Sequence, residues 1–410
     1  GELLGGGAGV ASKGSVNATV GSVALTSTDG GRAEIESQQS GVVIRATVGD
    51  IDLGQGRLAG ATVSSDNFDS SGGVTLIAEG DIVAEQVGTR RAQLVSEIGD
   101  LPNSRDNSHV VLTANGGLRL DGVDVSTTDD LQLSSNGEIH LTNAIGGLGG
   151  DLRLFSNDKV SFDATVITAQ GDVRVEGTAL RFGADILEQS RTELKAAEGG
   201  FYARSTTGSI YNFGSLLQGK ASANVGTASP SGATITSAGV FQNKSLSVGR
   251  LAVVFGEVDD LRISAAGDVL NDTGRLFSNA AISIAAGGDI VNQTAFTTAA
   301  SPYQVTTING GRVASSVLLK RKRTTTVAAD YGAESINGEL SYIFGIGDVS
   351  LRAENIYSYG ADITGGNVEL DAAGAFTNTS RQVGEFRFTQ SCKWFCKVSG
   401  FSNLRSIGGG

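Results

Sequence analysis

Apolar and polar positions alternate in short runs along most of the chain, and the runs recur in phase. Leu112, Leu133, Leu154 and Val175 lie 21 residues apart, as do Asn115, Asn136 and Asn157. Two further registers, Leu118/Ile139/Val160 and Leu120/Leu141/Phe162, share that step. Inside each unit the apolar residues come in pairs two apart: Leu131/Leu133 then Ile139/Leu141, Leu152/Leu154 then Val160/Phe162. A period of two marks a strand with one face turned inward. The strands predicted are about three to five residues long. Gly, Asn, Asp and Ser separate them, and those residues suit tight turns. No apolar stripe at helical spacing runs over a long stretch, so helix is expected to be scarce.

A 21-residue unit of short strands cannot enclose a core alone. Stacked on copies of itself at about 4.8 Å per coil it can, because each strand pairs with its equivalents above and below. The expected fold is therefore all-β: a right-handed parallel β-helix with coils of about 21 residues and loops or hairpins outside the helix, its hand taken from crossover chirality. Roughly 15 to 18 coils would give a rod on the order of 70 to 90 Å long. Stacking would also align Asn115, Asn136 and Asn157 as a ladder of side-chain amides, alongside the turn chemistry of Asn-Gly. A sandwich or a propeller needs other spacings. Gly287-Gly288-Asp289 is isolated, which argues against a calcium-binding roll.

The phase fails at 86–109, at 216–232 and from about 296 to 345, and Pro102, Pro230 and Pro302 all fall in these breaks. Proline lacks the donor that an internal strand owes its neighbour. We therefore expect a rod over 1–298 with excursions near 86–109 and 216–232. A continuation over 299–380 would carry a hairpin-like extension around 303–345, and an anchoring segment would occupy 381–410. In the third break, Lys320-Arg321-Lys322-Arg323 forms a dense basic cluster. It suits a contact for an anion or polysaccharide, or a hairpin whose cations block edge-to-edge pairing; the second reading is preferred.

Composition narrows the function. The 410 residues include 59 Gly but only 3 Pro, 2 Cys and 2 His, so neither a cofactor nor a metal centre is expected. The 31 basic against 43 acidic residues disfavour nucleic acid as a partner. No apolar run reaches the length of a membrane-spanning helix. With no start Met and no leader in Gly1 to Gly14, an excised segment is expected. The closing run Ser406-Ile407-Gly408-Gly409-Gly410 does not read as a membrane barrel.

The units Ile263-Ser264-Ala265-Ala266-Gly267-Asp268-Val269-Leu270-Asn271 and Ile284 to Asn292 resemble the repeats of filamentous haemagglutinin-type exoproteins. These are the secreted partners of two-partner secretion in Gram-negative bacteria. Asn two places after an apolar residue recurs at Phe241/Asn243 and Phe376/Asn378. The pattern covers about two thirds of the chain. Cys392-Lys393-Trp394-Phe395-Cys396 is similar to the terminal cysteine pair of the high-molecular-weight adhesin branch. That resemblance implies a small disulfide loop closed by Cys392 and Cys396, with Trp394 and Phe395 as bulky contents, lodged in an outer-membrane transporter pore. Read from the residues alone, so short a loop adds little to fold stability. A reduced pair or a metal site stays open as a reading, although a two-Cys site without His partners is weak and an exported chain favours oxidation. Phe386-Arg387-Phe388 predicts a final strand.

The resemblance implies a non-enzymatic rod or stalk of a large surface adhesin, extracellular and tethered at the outer membrane. Its partners would be the transporter pore and a host-cell or matrix receptor, polysaccharide or protein. The stalk of a contact-dependent inhibition toxin or haemolysin-type exoprotein is one alternative. A β-helical polysaccharide lyase or hydrolase is the other. It would need paired carboxylates, for which Asp129/Asp130, Asp259/Asp260 and Asp66/Asp69 are the candidates, each in a turn-like context where Asp is common.

Overall fold

Short alternating segments become strands in this chain because each finds an equivalent segment one coil away. The computed structural model describes residues 9–12, 15–25, 33–37, 41–54, 61–67, 73–86, 91–98, 109–186, 190–220, 232–297, 300–309, 322–392 and 395–408. No helix occurs among the described residues. Three parallel sheets of thirteen strands each build the rod. Successive strands enter the first, second and third sheet in turn, then return to the first one coil further on. One coil is Val123–Thr127, Leu131–Ser135 and Ile139–Thr142; the next is Ile145–Leu148, Leu152–Ser156 and Val160–Asp163. The fold is a parallel β-helix.

The registers follow the sequence period. Leu112 pairs with Leu133, Leu133 with Leu154, and Leu154 with Val175. Leu118, Ile139 and Val160 form one column in the third sheet, and Leu120, Leu141 and Phe162 another. All are buried, within one apolar cluster that runs from Val23 to Ile356. Each such side chain is worth about 1.5–3 kcal/mol when fully buried. Aromatic rings stack along the same axis: Phe162 and Phe182 lie 5.4 Å apart, and Phe201 meets Phe182 edge-on at 6.0 Å.

Thirteen coils make a rod of about 60 Å at about 4.8 Å per coil, shorter than the period alone implies. The reason is unequal coil length. Equivalent second-sheet positions are 21 residues apart from Val110 to Leu131, but 36 apart from Val74 to Val110 and 67 apart from Ile282 to Val349.

Two segments expected to leave the rod keep a strand in it. Within 86–109, Ala92–Ile98 pairs with both Ala61–Asn67 and Val123–Thr127. Within 216–232, Leu216–Gly219 pairs with Glu193–Ala196 and Val253–Gly256. Extra residues flank these strands, so the phase is lost while the pairing is kept. Pro102 and Pro230 lie outside the described residues. The third break does depart from the rod: Ala300–Asn309 and Lys322–Asp330 pair antiparallel. Pro302 falls at a bulge in Ala300–Asn309, an edge strand, where a missing donor is tolerated.

The return from third to first sheet repeatedly uses a single left-handed residue. Gly122, Asn143, Ala164, Gly183, Gly214, Thr273 and Gly360 all have φ between 48° and 79° there. For Ala164 and Thr273 that conformation costs about 1–2 kcal/mol, which the coils on either side must offset.

Two amide ladders cross the coils. On the surface, Asn136 Nδ2 donates to Asn115 Oδ1, and Asn157 Nδ2 to Asn136 Oδ1 at 2.7 Å. The second ladder is fully buried. Asn212 donates to Asn243, Asn243 to Asn271 and Asn271 to Asn292, each over 2.8 Å. Ser341 Oγ closes the row on Asn292 Oδ1, also at 2.8 Å. These amides also donate to the carbonyls of Ser215, Ala252, Gly274 and Asp362 in turn. Gly274 is required by the close approach: a Cβ there would sit 2.3 Å from Asn271 Oδ1.

Burial should separate the ladders energetically. Asn271→Ala strands buried partners and is expected to cost about 3 kcal/mol, whereas Asn136→Ala, in water, should cost less than about 1 kcal/mol. Denaturant unfolding of the two variants measures this; equal losses would contradict it.

Candidate functional site

Past the last coil the chain turns antiparallel. Glu385–Cys392 and Cys396–Ser402 form a hairpin, Glu385–Cys392 pairs with Lys322–Asp330, and that strand pairs with Ala300–Asn309. The excursion and the anchoring segment therefore make one four-stranded sheet.

Its base is fastened to the rod. Arg381–Val383 pairs with Arg405–Ile407, burying Val383 and Ile407. Arg405 Nη2 donates to both carboxylate oxygens of the buried Glu334, at 2.6 and 2.8 Å. The Arg381 guanidinium lies 4.4 Å from the Phe296 ring centre. Tyr331 N–H donates to Gly384, and Gly384 N–H to Gly332.

Its far end carries the cysteines. Cys392 and Cys396 face each other across the hairpin and are joined as a disulfide. The strand Glu385–Cys392 places that bond about 24 Å from its base at about 3.4 Å per residue. Phe395 in the loop is 91% exposed; Trp394 lies outside the described residues. Arg323 stands opposite Cys392 in the neighbouring strand, and Lys322 precedes it. Two groups that the sequence reading kept separate thus share one end of one sheet. Lys320 and Arg321 lie outside the described residues, as do the side chains of Lys322 and Arg323. Along one face, Val327 is paired with Phe388, and Phe388 with Gly400, where a Cβ would come within 2.6 Å of the Phe388 ring. Val327, Phe388 and Val398 are all exposed on this sheet.

One member of each candidate carboxylate pair at Asp129/Asp130 and Asp259/Asp260 has structural work. Asp130 Oδ1 accepts the N–H of Asp151 at 2.7 Å, and its Oδ2 meets Arg153 at 3.1 Å. Asp260 Oδ1 accepts the N–H of Ala281 at 3.2 Å, and its Oδ2 accepts Arg262. The same corner bond recurs with Asp81 to Gly117, Asp151 to Asp172, Asp172 to Gly200 and Asp268 to Asp289. Each carboxylate fixes the backbone of the next coil. The repeated Gly-Asp-Val/Ile of the sequence units was the available signal, read there only as turn chemistry. The Asp66 side chain and all of Asp69 lie outside the described residues.

Sequence reasoning also missed a titratable row across three coils. Asp163 Oδ2 meets His140 Nε2 at 3.0 Å and Arg181 Nη2 at 2.9 Å. Burial works to raise the Asp163 pKa, but the His140 hydrogen bond and the Arg181 charge outweigh it and hold the carboxyl below its usual range. Ser161, between His140 and Arg181 in the register, donates instead to Glu138 at 3.2 Å. Asp272 is the opposite case. Its Oδ1 is buried without a hydrogen-bond partner, and burial pushes its pKa up, only partly countered by Lys244 and Thr273. Among the described residues no group of three or more His, Cys, Asp or Glu is placed to hold a metal ion.

The geometry defines a parallel β-helix with a disulfide-closed antiparallel extension. No known protein family, curated protein or solved structure matches the chain.

Two predictions follow from the local geometry. Reducing the disulfide releases about 2 kcal/mol of loop constraint that acts on the hairpin end alone. Amide exchange should therefore quicken across Glu385–Cys392 and Cys396–Ser402 and stay unchanged in the rod; uniform quickening would contradict this. For Asp272, the folded carboxyl has the higher pKa, so its destabilising charge is absent below the unfolded value of 3.8 and fully present above the raised folded value. Asp272→Asn should raise the melting temperature by about a degree or two at pH 7 and leave it unchanged at pH 3. An equal gain at both pH values would be inconsistent with this.

Proposed function

We propose that the chain is a rod segment of a large secreted surface adhesin, held at the outer membrane of a Gram-negative bacterium by its cysteine loop. The observation that carries this reading is the disulfide at the far end of a projecting hairpin, with Phe395 exposed beside it. A loop of this size does little for global stability, so its value is local. It turns a strand end into a short, wide, covalently closed knot. An extended chain threads a narrow pore; a closed hairpin with aromatic contents does not. The rod supplies the complementary property, since stacked coils resist bending and set the distance between anchor and outer end. The repeat units and the cysteine spacing resemble the same class of exoprotein. In this reading the partner at the anchored end is the transporter pore, and adhesion itself is non-catalytic.

The test is release from cells that express the full precursor with its transporter. Cys392→Ser is expected to shift the protein from the cell surface to the medium, as is mild reductant on the unmodified protein. Equal retention of variant and unmodified protein would overturn the tether.

A further inference from the structure

In the three coils that follow Phe201–Ser205, the outward positions of the second sheet are Thr234, Thr236, Ser264, Ser283 and Ala285, with Arg262 the one long side chain among them. Four neighbouring coils differ. In register across Leu131–Ser135, Leu152–Ser156, Val173–Gly177 and Phe201–Ser205, one outward column reads Gln132, Arg153, Arg174, Tyr202. The column beside it reads Ser134, Phe155, Glu176, Arg204. Gln132, Arg153, Phe155, Arg174, Glu176 and Tyr202 line a groove of about 410 Å³. Phe155 is 47% exposed, and the Arg153 and Arg174 side chains are about half exposed.

The arginines are held in place before any ligand arrives. Arg153 donates to Asp151 at 2.6 Å and lies 3.1 Å from Asp130; Arg174 donates to Asp172 at 2.9 Å. Those carboxylates are fixed by backbone N–H groups of the following coil. Arg204 lies 3.7 Å from Glu176. A planar donor fork fixed in this way loses little entropy on binding. The charges decide the ligand class. Three arginines stand against Asp130, Asp151, Asp172 and Glu176, so the groove has no net positive field to draw a polyanion. What it offers is fixed donors, fixed acceptors and two aromatic rings. That set matches a sugar, whose hydroxyls donate and accept and whose C–H faces stack on rings.

We infer that this face binds an uncharged oligosaccharide, with Phe155 and Tyr202 as stacking platforms and Arg153 and Arg174 bonding hydroxyls. Three spacings of about 4.8 Å give a span of about 14 Å, room for about three pyranose units. The rod is then itself a binding face, which goes beyond the stalk reading and does not depend on the tether.

The test uses the purified chain without a transporter, so its failure and that of the tether are separate results. A glycan array of cellotriose, maltotriose, laminaritriose and chitotriose, with heparin alongside, is followed by calorimetry on the trisaccharide retained best. Retention of at least one uncharged trisaccharide is expected, changing less than about twofold between 50 and 500 mM salt. Phe155→Ala and Tyr202→Ala should each weaken it about tenfold; Phe388→Ala, on the antiparallel sheet, should not. Arg174→Lys keeps the charge, removes the fork and should also weaken binding, which covers the case of an aromatic variant that fails to fold. No uncharged sugar retained, heparin alone retained with steep salt dependence, or affinity unchanged in the variants would each overturn the inference.

Discussion

Every coil of this protein is hydrogen-bonded to a near-copy of itself one turn away, and that constraint governs the remainder. Backbone donors and acceptors of a strand in the three sheets point along the rod, not across it. Equivalent residues must therefore lie over one another, and each side chain is surrounded by its own kind. Leucine columns fill the interior because a column of like apolar shapes packs without gaps. An asparagine can enter that interior only if a neighbouring coil supplies a hydrogen-bonding partner, since a lone buried amide costs about 1–3 kcal/mol. Asn212, Asn243, Asn271 and Asn292 meet that condition, and Ser341 ends the row. The same logic turns corner carboxylates into links between coils: Asp151 accepts from Asp172 and donates its own N–H to Asp130.

The constraint explains which parts were legible in the sequence. The columns through Leu112, Leu118 and Leu120 could be read because insert-free coils keep one spacing, and the Asn115 row came with them. The buried asparagines were harder. Asn271 and Asn292 keep the step of 21, but Asn212 and Asn243 are 31 apart and Asn243 and Asn271 are 28 apart. Additions between strands hid a column that is continuous in space. Ala92–Ile98 and Leu216–Gly219 were lost for a related reason. Each has one large inward residue, Leu94 or Leu217, among those described, while Ala92, Ser96 and Gly219 beside them are small or polar and weaken the apolar signal. A stacked strand can be specified by its neighbours more than by itself.

The antiparallel extension was illegible for a different reason. Nothing local in Arg323 or Cys392 says that they are neighbours, because they lie 69 positions apart with several rod strands between them. Parallel stacking repeats, and repetition can be seen; a single long-range antiparallel pairing occurs once and leaves no period. The resemblance of the cysteine spacing supplied a pairing of Cys392 with Cys396. It supplied nothing about the excursion strand that the hairpin joins.

That joining decides how the extension can carry load under the tether reading. An isolated two-stranded hairpin is marginal in water. Here Glu385–Cys392 is sandwiched between Cys396–Ser402 and Lys322–Asp330, so eight of its positions are paired on one side and seven on the other. A pull along the strands loads those hydrogen bonds together in shear, whereas a pull that opened the turn would break them one at a time. The disulfide closes the turn end and removes the second route. At the opposite end Arg405 on Glu334 and Arg381 on Phe296 tie the strands to the last coils. The covalent link is therefore placed where the non-covalent ones are weakest, at the open end of a sheet whose base the rod already holds.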